Sequence, residues 1–440
     1  MIALAGVTVV TLAVFIATAA IGDQRRLSVV LSSPAAGDSM PVTLQQLSIT
    51  FSSEPNHNSV LSHLTLAPPS PGSTSWRGNT LVYTFSSALS PGQHRITVSA
   101  GASGRASERL VQPFSVTYTV RQPGIVLLQT DPATQKQKLV ALRDGKADTL
   151  LTADAIADFS VSPDGSSVAV VSQNKGLTNL SLISSVSGEI RPLIQSPGII
   201  LGGVSWATDA SALLVVREDK LPLGNTSVPR VWLVRLSGEF VAPIDPSGDP
   251  SIGPLWSPDA QSIAYLSPAD GKLSVQNLST HAVIDLGVPR GGDPAWSPDS
   301  KLIAYEAVPP AASNQDGLLQ PIRVRSIDGT VDRSFGVHGE VRSFPLFLDN
   351  DTLLDLRRTV GAAQTGTDLL FESVKTGGII RSVEFGRGAE IVTAWALDPL
   401  HTHAVFSVRS GTALQTYEIA LSDGTRTLLP VSGDDPQWLP

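Results

Sequence analysis

Five aspartates recur at similar intervals between residues 164 and 398, each in a short Ser-Pro-Asp-like segment. They are Asp164, Asp209, Asp259, Asp299 and Asp398, and Asn350 takes the equivalent place in one further unit. One carboxylate per repeat could form a ring that binds a cation. The same residues also suit a turn, because Pro presets φ and Asp accepts a backbone N–H two residues later. Since every copy needs only that local role, the sequence favours turns.

Tryptophans recur beside these aspartates, and they too permit two interpretations. The members are Trp206, Trp256, Trp296, Trp395 and Trp438. Each could line an apolar pocket, or each could pack between adjacent sheets and bury a large side chain there. A binding site needs asymmetry, whereas these residues repeat, so the packing interpretation is favoured. We therefore treat the tryptophans and aspartates as structural repeat residues.

Other residues that could carry chemistry are sparse. His401 and His403 would share one face of a strand and could form half of a metal site, but no second close His pair supports them. The segment DNDTLLD (residues 349–355) lacks the Gly and Glu of a calcium loop. There is no G-x-S-x-G, Walker or G-x-G-x-x-G motif. The sequence therefore predicts no catalytic, cofactor-binding or metal-binding residue, no cofactor, and a protein that is not an enzyme.

Composition narrows the class of partner. The chain has 440 residues, 42% hydrophobic and 16% charged, with a net charge of −8. An acidic chain without a basic block argues against nucleic acid as a partner. It contains no cysteine, which excludes disulfides and thiolate metal sites.

Residues 1–22 form the most apolar segment. Residues 2–22 carry no charge, and as a helix they would span roughly 30 Å, the thickness of a bilayer core. We predict a single-pass membrane anchor with the bulk of the chain extracytoplasmic; a cleaved signal peptide, with secretion, is the alternative. Arg25 and Arg26 follow this segment and oppose that orientation, but long domains translocate largely regardless of charge.

Residues 27–120 alternate between apolar and polar residues in short runs separated by turns. Examples are QLSITFS (46–52), HLTLAP (63–68), NTLVYTFS (79–86), HRITVSA (94–100) and FSVTYTV (114–120). Period-2 alternation predicts half-buried strands, and about seven of them predict a β-sandwich. The order of ITFS, Glu54-Pro55, W-x-G-N-T-L-x-Y from Trp76 to Tyr83, and L-x-P-G resembles the bacterial Ig-like domains of surface-layer proteins. That resemblance implies a spacer or adhesion module, with Trp76 in the core or rim; a sugar-stacking role is the alternative.

Residues 121–440 consist of a longer repeat. Its aromatic position is held by Val161, Trp206, Trp256, Trp296, Phe347, Trp395 and Trp438, at spacings of 40 to 51 residues. An apolar strand follows each motif, and a strand–Gly–strand hairpin follows in most units, at Gly188, Gly238, Gly329, Gly377 and Gly424. Four strands per unit at this period predict the blade of a β-propeller.

The first and last units are both incomplete. DPQWLP (435–440) supplies only the first strand of a unit, whereas GIVLLQT (124–130) and residues 138–151 supply the other three. We therefore predict an all-β chain whose C-terminal strand completes the N-terminal blade. Seven blades are predicted, with six as the alternative if the Phe347 unit is misread.

The WSPD motif followed by an I-A-Y strand resembles the TolB-like propellers over about 320 residues. The Val161, Phe347 and Trp395 units depart from the motif. The resemblance implies a fold and leaves function open. Propellers of this kind also precede prolyl oligopeptidase-like hydrolases, but no nucleophile motif is present here.

These observations predict a non-enzymatic extracytoplasmic binding or scaffold protein for a protein or cell-envelope partner. The alternatives are a sensor or glycan-binding module and, less favoured, a lyase or hydrolase built on the propeller. Two long segments between the second and third strands of their units, residues 217–230 and 308–321, would emerge on one face and contact the partner.

Overall fold

The computed structural model describes residues 26–244, 249–309, 319–359, 366–386 and 390–440, without the side chains of residues 385 and 386. The chain divides into two compact units, Met1–Gln122 and Pro123–Pro440. The predicted anchor, residues 2–22, lies outside the described residues. In the described part of the chain, no helix is both long and apolar enough to cross a membrane.

The described residues of the first unit form ten strands and one short helix. They are β1 (Arg26–Leu27), β2 (Val29–Ser33), β3 (Ser39–Met40), β4 (Gln46–Phe51), α1 (His57–His63), β5 (Leu64–Ala67), β6 (Gly72–Arg77), β7 (Thr80–Phe85), β8 (Gly92–Val98), β9 (Arg109–Leu110) and β10 (Phe114–Val120). Two four-stranded sheets have the orders β3–β10–β8–β5 and β2–β4–β7–β6, and β1 pairs with β9.

All five segments with clear alternation form strands in this unit, namely β4, β5, β7, β8 and β10. Their inward residues, such as Ile49, Leu81 and Ile96, are fully buried. The expectation of about seven strands was too low. Strands β1, β3 and β9 have only two residues each, and the edge strand β6 is almost fully exposed, so none of the four shows an apolar periodicity. The helix α1 was also missed; its N-cap Asn56 accepts a hydrogen bond from Ser59 N at 3.1 Å.

The second unit contains 28 strands in seven four-stranded antiparallel sheets across its described residues. Sheet 1 is β11 (Gly124–Thr130), β12 (Gln137–Arg143) and β13 (Lys146–Ala153) with β38 (Asp434–Leu439). Sheet 2 is β14 (Ala155–Val161), β15 (Ser167–Asn174), β16 (Leu177–Ser184) and β17 (Ile190–Ser196). Sheet 3 is β18 (Ile199–Trp206), β19 (Ala212–Asp219), β20 (Arg230–Arg235) and β21 (Phe240–Pro243), with a 3₁₀ turn at Pro222–Gly224.

The remaining sheets repeat the same order. Sheet 4 is β22 (Ile252–Trp256), β23 (Ser262–Leu266), β24 (Leu273–Asn277) and β25 (Val283–Gly287). Sheet 5 is β26 (Pro289–Trp296), β27 (Leu302–Ala307), β28 (Ile322–Ser326) and β29 (Asp332–Phe335). Sheet 6 is β30 (Glu340–Phe347), β31 (Thr352–Thr359), β32 (Thr367–Ser373) and β33 (Ile379–Gly386). Sheet 7 is β34 (Ile391–Leu397), β35 (His403–Ser410), β36 (Ala413–Ala420) and β37 (Arg426–Leu428).

Sheet 1 combines strands from the two ends of this unit. Strand β38 pairs antiparallel with β11, with Leu439 opposite Gly124 and Trp438 opposite Ile125. The prediction that the C-terminal strand completes the N-terminal sheet is therefore confirmed. This pairing covers the edge of β11, which would otherwise be open to association with another chain.

Apolar clusters join each sheet to the next. The second strand of each sheet is buried on both sides, as in Ser167–Asn174, because it lies between two neighbouring sheets. One cluster combines Val126 and Leu139 of sheet 1 with Phe159 and Val170 of sheet 2. The series continues around to sheet 7, where Val405 packs with residues of sheet 1 such as Leu127. A closed series of four-stranded sheets is a β-propeller.

The connections fall on two faces of the propeller. Tight turns join the first strand to the second and the third to the fourth, and we call their side the turn face. The glycines predicted in the third-to-fourth hairpins all adopt left-handed φ, between 69° and 88°. In sheet 4, which lacks this glycine, His281 takes the position with φ 59°. The opposite side, with the second-to-third connections and the links between sheets, is the loop face.

Candidate functional site

The first strand of each sheet lies innermost and has an irregularity two to four residues before the repeat aromatic. Each of these strands shows a register shift there against its neighbour. Gly203, Gly253, Phe344 and Asp435 adopt left-handed φ at this point. A bulge redirects a side chain and bends the strand. The backbone at this position therefore differs from that of the regular strand on either side.

Three aspartates occupy this position, and they influence one another electrostatically. Asp158, Asp293 and Asp435 lie three residues before Val161, Trp296 and Trp438. Burial, followed by the charge of Asp293, raises the pKa of Asp158 to about 6. Burial and the charges of Asp158 and Asp293 raise the pKa of Asp435 to about 7. The charges of these aspartates thus influence one another's pKa although their strands belong to sheets 2, 5 and 1.

Asp293 is more exposed than the other two aspartates, which are half-buried. The walls around it nevertheless remove part of its hydration, and this desolvation raises its pKa. The inner strands of sheets 3 and 4 present Gly203 and Gly253 at the same position, so they add no side chain beside the aspartates. Among these four sheets, only sheets 2 and 5 therefore contribute a carboxylate from this position.

Neighbouring carboxylates also connect the sheets. Asp158 Oδ2 accepts a hydrogen bond from Val204 N of sheet 3 at 2.6 Å. Glu306 is buried, accepts from Arg290 Nη2 at 2.7 Å, and accepts from Phe344 N of sheet 6 at 3.1 Å. Asp434 Oδ1 accepts from Thr393 Oγ1 of sheet 7 at 2.7 Å. These carboxylates thus link neighbouring sheets through hydrogen bonds, besides any role in binding.

The chemistry available here is proton exchange near neutral pH or attraction of a cationic group. Among the described residues, no three His, Asp or Glu side chains are grouped so that they could hold a metal ion. The sequence comparison missed these aspartates because it concentrated on the aromatic and turn residues that the units have in common, and the aspartates occur in only three units. The signal was present: the position three residues before the aromatic reads Asp, Gly, Gly, Asp, Phe, Val and Asp around the series.

The five repeat tryptophans all lie between their own sheet and the preceding one. They belong to the clusters that join sheets 2 and 3, 3 and 4, 4 and 5, 6 and 7, and 7 and 1, in the order Trp206, Trp256, Trp296, Trp395 and Trp438. Three of them donate Nε1 to a carbonyl of the preceding inner strand, as Trp206 does to Ser160 O at 2.9 Å. Trp256 and Trp296 have no such partner among the described residues.

The five repeat aspartates all lie in turns on the turn face, away from the inner aspartates. Each accepts at least one backbone N–H within its own turn, as Asp164 does from Ser166 N, Asp209 from Ser211 N, Asp259 from Gln261 N, Asp299 from Lys301 N and Asp398 from Thr402 N. Neighbouring turns are also linked, since Asp299 N donates to Asn350 Oδ1 at 2.9 Å. The structure does not bring these carboxylates together.

The remaining candidates have local surroundings. His401 lies in a turn with φ 58°, before β35 begins at His403, so the two do not share a strand face. Asp349 accepts from Asp351 N and Thr352 N, both at 2.8 Å, within its own turn. Trp76 is half-buried in β6 and stacks on His57, with ring centroids 4.0 Å apart.

A buried ionic cluster in sheet 6 was also missed by sequence reasoning. Arg342 Nη1 lies 2.8 Å from Asp355 Oδ1 and 3.4 Å from Glu372 Oε2, and all three residues are almost fully buried. Burial and the neighbouring Asp355 raise the pKa of Glu372 to about 8. This shift favours the protonated form of Glu372 near neutral pH. No period in the sequence distinguishes such residues from ordinary surface charges.

The two faces of the propeller differ in their exposed apolar side chains. Among the described connecting segments, the loop face exposes six large apolar residues: Leu221, Leu223, Val228, Val288, Val308 and Val337. The turn face exposes one, Val186. Of the two long segments predicted to emerge together, residues 217–230 are described and reach the loop face, whereas residues 310–318 lie outside the described residues. The loop face is the candidate binding surface.

Comparison with known proteins supports the fold. No protein-family model matches the sequence, and no curated protein is similar to it. An oligogalacturonate lyase in complex with manganese has a similar structure, with TM-score 0.51 and 14% identity, over 71% of this chain and 86% of that chain. This similarity shows the β-propeller fold alone.

Two further solved structures have lower TM-scores. TolB from Acinetobacter baumannii gives a TM-score of 0.46 at 12% identity, over 95% of this chain and 100% of that chain. The β-propeller domain of the Trilobed protease from Pyrococcus furiosus gives 0.48 at 12% identity, over 71% of this chain and 95% of that chain.

Proposed function

We propose that this chain is a non-enzymatic binding protein whose propeller binds a protein or cell-envelope partner on its loop face. The observation that carries the proposal is the asymmetry of the two faces, with six exposed large apolar side chains in the described connections of one and one in those of the other. Exposed apolar side chains that cluster on one face are typical of interaction sites. On the turn face, in contrast, polar side chains bond within their own turns or to the neighbouring turn.

The remaining parts of the proposal concern architecture and location. We take the seven sheets as the complete blades of a seven-bladed ring, because the cluster between sheets 7 and 1 is built like the other six. The first unit would serve as an Ig-like spacer. Residues 2–22 would attach the protein to the membrane with both units extracytoplasmic, which rests on the apolar sequence of that segment.

The experiment that tests the proposed function places photo-crosslinking residues on both faces of the full chain in intact cells. Val337 and Val308 report on the loop face, and Val186 reports on the turn face. We expect a discrete crosslinked protein from the two loop-face positions and none from Val186. Crosslinks from Val186 alone would contradict the choice of face, and crosslinks from no position would contradict a stable protein partner.

A second candidate function is an enzyme that acts at the inner strands. It is favoured by Asp158 and Asp435, whose pKa values of about 6 and 7 suit a general acid and base at neutral pH. Oligogalacturonate, which the name of one similar structure suggests, is the first substrate to try. Cleavage by the wild type that is lost in D158N and D435N would favour the enzyme over the binding protein.

A further inference from the structure

The connection between β19 and β20 exposes an apolar tip on the loop face. Leu223 is 99% exposed, and Leu221 and Val228 of the same segment are also exposed. Residues 221–228 contain no charged and no aromatic side chain. Leu223 lies at the exposed tip of this ten-residue connection. Because its side chain is almost fully exposed, it has no role in the packing of the propeller.

This connection is held in one conformation by its own hydrogen bonds. Leu221 N donates to Asn225 O at 2.8 Å, and Ser227 N donates to Asp219 O at 2.8 Å. Asp219 N donates in turn to Ser227 Oγ at 2.8 Å. These bonds fix the tip in place before any partner arrives, which lowers the entropy lost on binding.

The base of the connection is equally fixed. Arg217 stacks on the rings of Trp232 and Phe240, at 5.0 and 4.5 Å from their centroids. Its Nη2 lies 2.7 Å from Asp219 Oδ1, so the strand end that carries the loop is anchored on both sides of the guanidinium. The exposed leucine is thus presented by a rigid support.

The backbone of Leu223 is strained. Its φ is 66° and its ψ is 20°, in the left-handed region that leucine disfavours and that glycine or asparagine would occupy at lower cost. A strained residue that performs no packing is a reason to look for function. Here the strained residue is also the most exposed large apolar residue described.

We propose that this loop docks into an apolar pocket on a protein partner and that the Leu223 side chain enters the pocket. This proposal rests on the proposed function and adds that the β19–β20 connection binds the partner through burial of an apolar side chain. The uncharged tip fits a pocket whose floor has no charged group. A lipid surface fits less well, because even a myristoyl chain, much larger than one leucine, binds membranes only marginally and reversibly.

The test uses the partner identified by crosslinking from Val337, which lies outside this loop, so that the partner is found without assuming any role for Leu223. Its affinity for the full chain is measured for the wild type, L223G and L428A. Glycine removes the side chain and accepts the left-handed φ, so L223G should fold with unchanged or higher Tm. We expect the Kd of L223G to rise roughly tenfold or more, and that of L428A, which alters an exposed leucine on the outer strand β37, to stay the same.

The contrary outcomes are distinct. Unchanged affinity of L223G, with a loss in V337D, would overturn the role of the loop and leave the proposed function standing. Unchanged affinity in both variants would overturn both proposals. Two further results would contradict docking on a different protein. One is crosslinking only to a second copy of this chain, and the other is binding of the wild type but not L223G to protein-free lipid vesicles.

Discussion

Gln437 binds the backbone of sheet 2 on both sides of Ser160. Its Nε2 donates to Phe159 O at 2.8 Å, and its Oε1 accepts from Val161 N at 3.1 Å. The strand that completes sheet 1 therefore also bonds to the next sheet, and Trp438 Nε1 bonds to Ala396 O of sheet 7 on its other side. Strand β38 thus joins three sheets.

Deleting Asp435–Pro440 should destabilise the propeller by far more than the loss of a free terminus. The packing of the buried Leu439 and the half-buried Trp438 and the bonds of Gln437 would all be lost, on the order of 5 kcal/mol together. We expect a large drop in Tm or failure to fold, measured by calorimetry. The control L428A should leave Tm nearly unchanged, and an unchanged Tm in the deletion would refute this role of β38.

Replacing Trp206 by phenylalanine should cost more than the same change at Trp256. Both indoles are buried between sheets, but only Trp206 Nε1 has a partner, the Ser160 carbonyl. W206F leaves that carbonyl without its donor, whereas W256F removes a buried donor that has no partner among the described residues. We expect the free energy of unfolding to fall by about 1–2 kcal/mol more in W206F, measured in urea. Equal costs would show that the hydrogen bond contributes nothing.

The repeat aspartates should differ in how much they stabilise their turns. Asp398 is buried and accepts from Thr402 N, Thr402 Oγ1 and His403 N. Asp209 is exposed and accepts from Ser211 N. D398A should therefore lower the free energy of unfolding by about 2–3 kcal/mol, and D209A by less than about 1 kcal/mol. Urea titration of the two variants at pH 7 provides the measurement, and a larger effect in D209A would contradict this assignment.

The inner aspartates should make stability depend on pH. The pKa of Asp435 is raised to about 7, so the folded chain holds a proton that the unfolded chain releases near pH 4. The stability linked to this proton is complete below pH 4 and is lost as the pH rises through 7. D435N removes the titrating group and suits the left-handed φ of 48°.

We expect D435N to match the wild type at pH 4 and to exceed its free energy of unfolding by roughly 1–3 kcal/mol at pH 8. The same comparison for D148N, an exposed carboxylate on the outer strand β13, provides the control. A constant difference between D435N and wild type from pH 4 to pH 8 would show that Asp435 is not the group responsible.

The repeat and its closure could be read from sequence because they depend on local rules. The aromatic and the aspartate of each unit, such as Trp256 and Asp259, stand at a fixed distance before an apolar strand. A turn residue that accepts left-handed φ, such as Gly188, marks most hairpins. Edge strand β6 and the Arg342–Asp355–Glu372 cluster could not be read this way. The edge strand buries too little to show a period, and the cluster depends on which charges the sheet brings together across three strands.

The inner aspartates occupy a middle position between these cases. Asp158, Asp293 and Asp435 each hold the same place in their units, so the sequence contains their register. Their electrostatic coupling arises only when sheets 1, 2 and 5 assemble, which no single unit encodes. Leu223 is similar, because its segment reads as an ordinary insertion until its backbone conformation is known.

The pairing of β38 with β11 also constrains the order of events during translation. About 300 residues separate the two strands, so at ~5–20 residues per second a ribosome needs roughly 15–60 s to make the second after the first. Throughout that interval the edge of β11 has no neighbour. We therefore expect the nascent chain to need a chaperone or another temporary cover at this edge until β38 has been made.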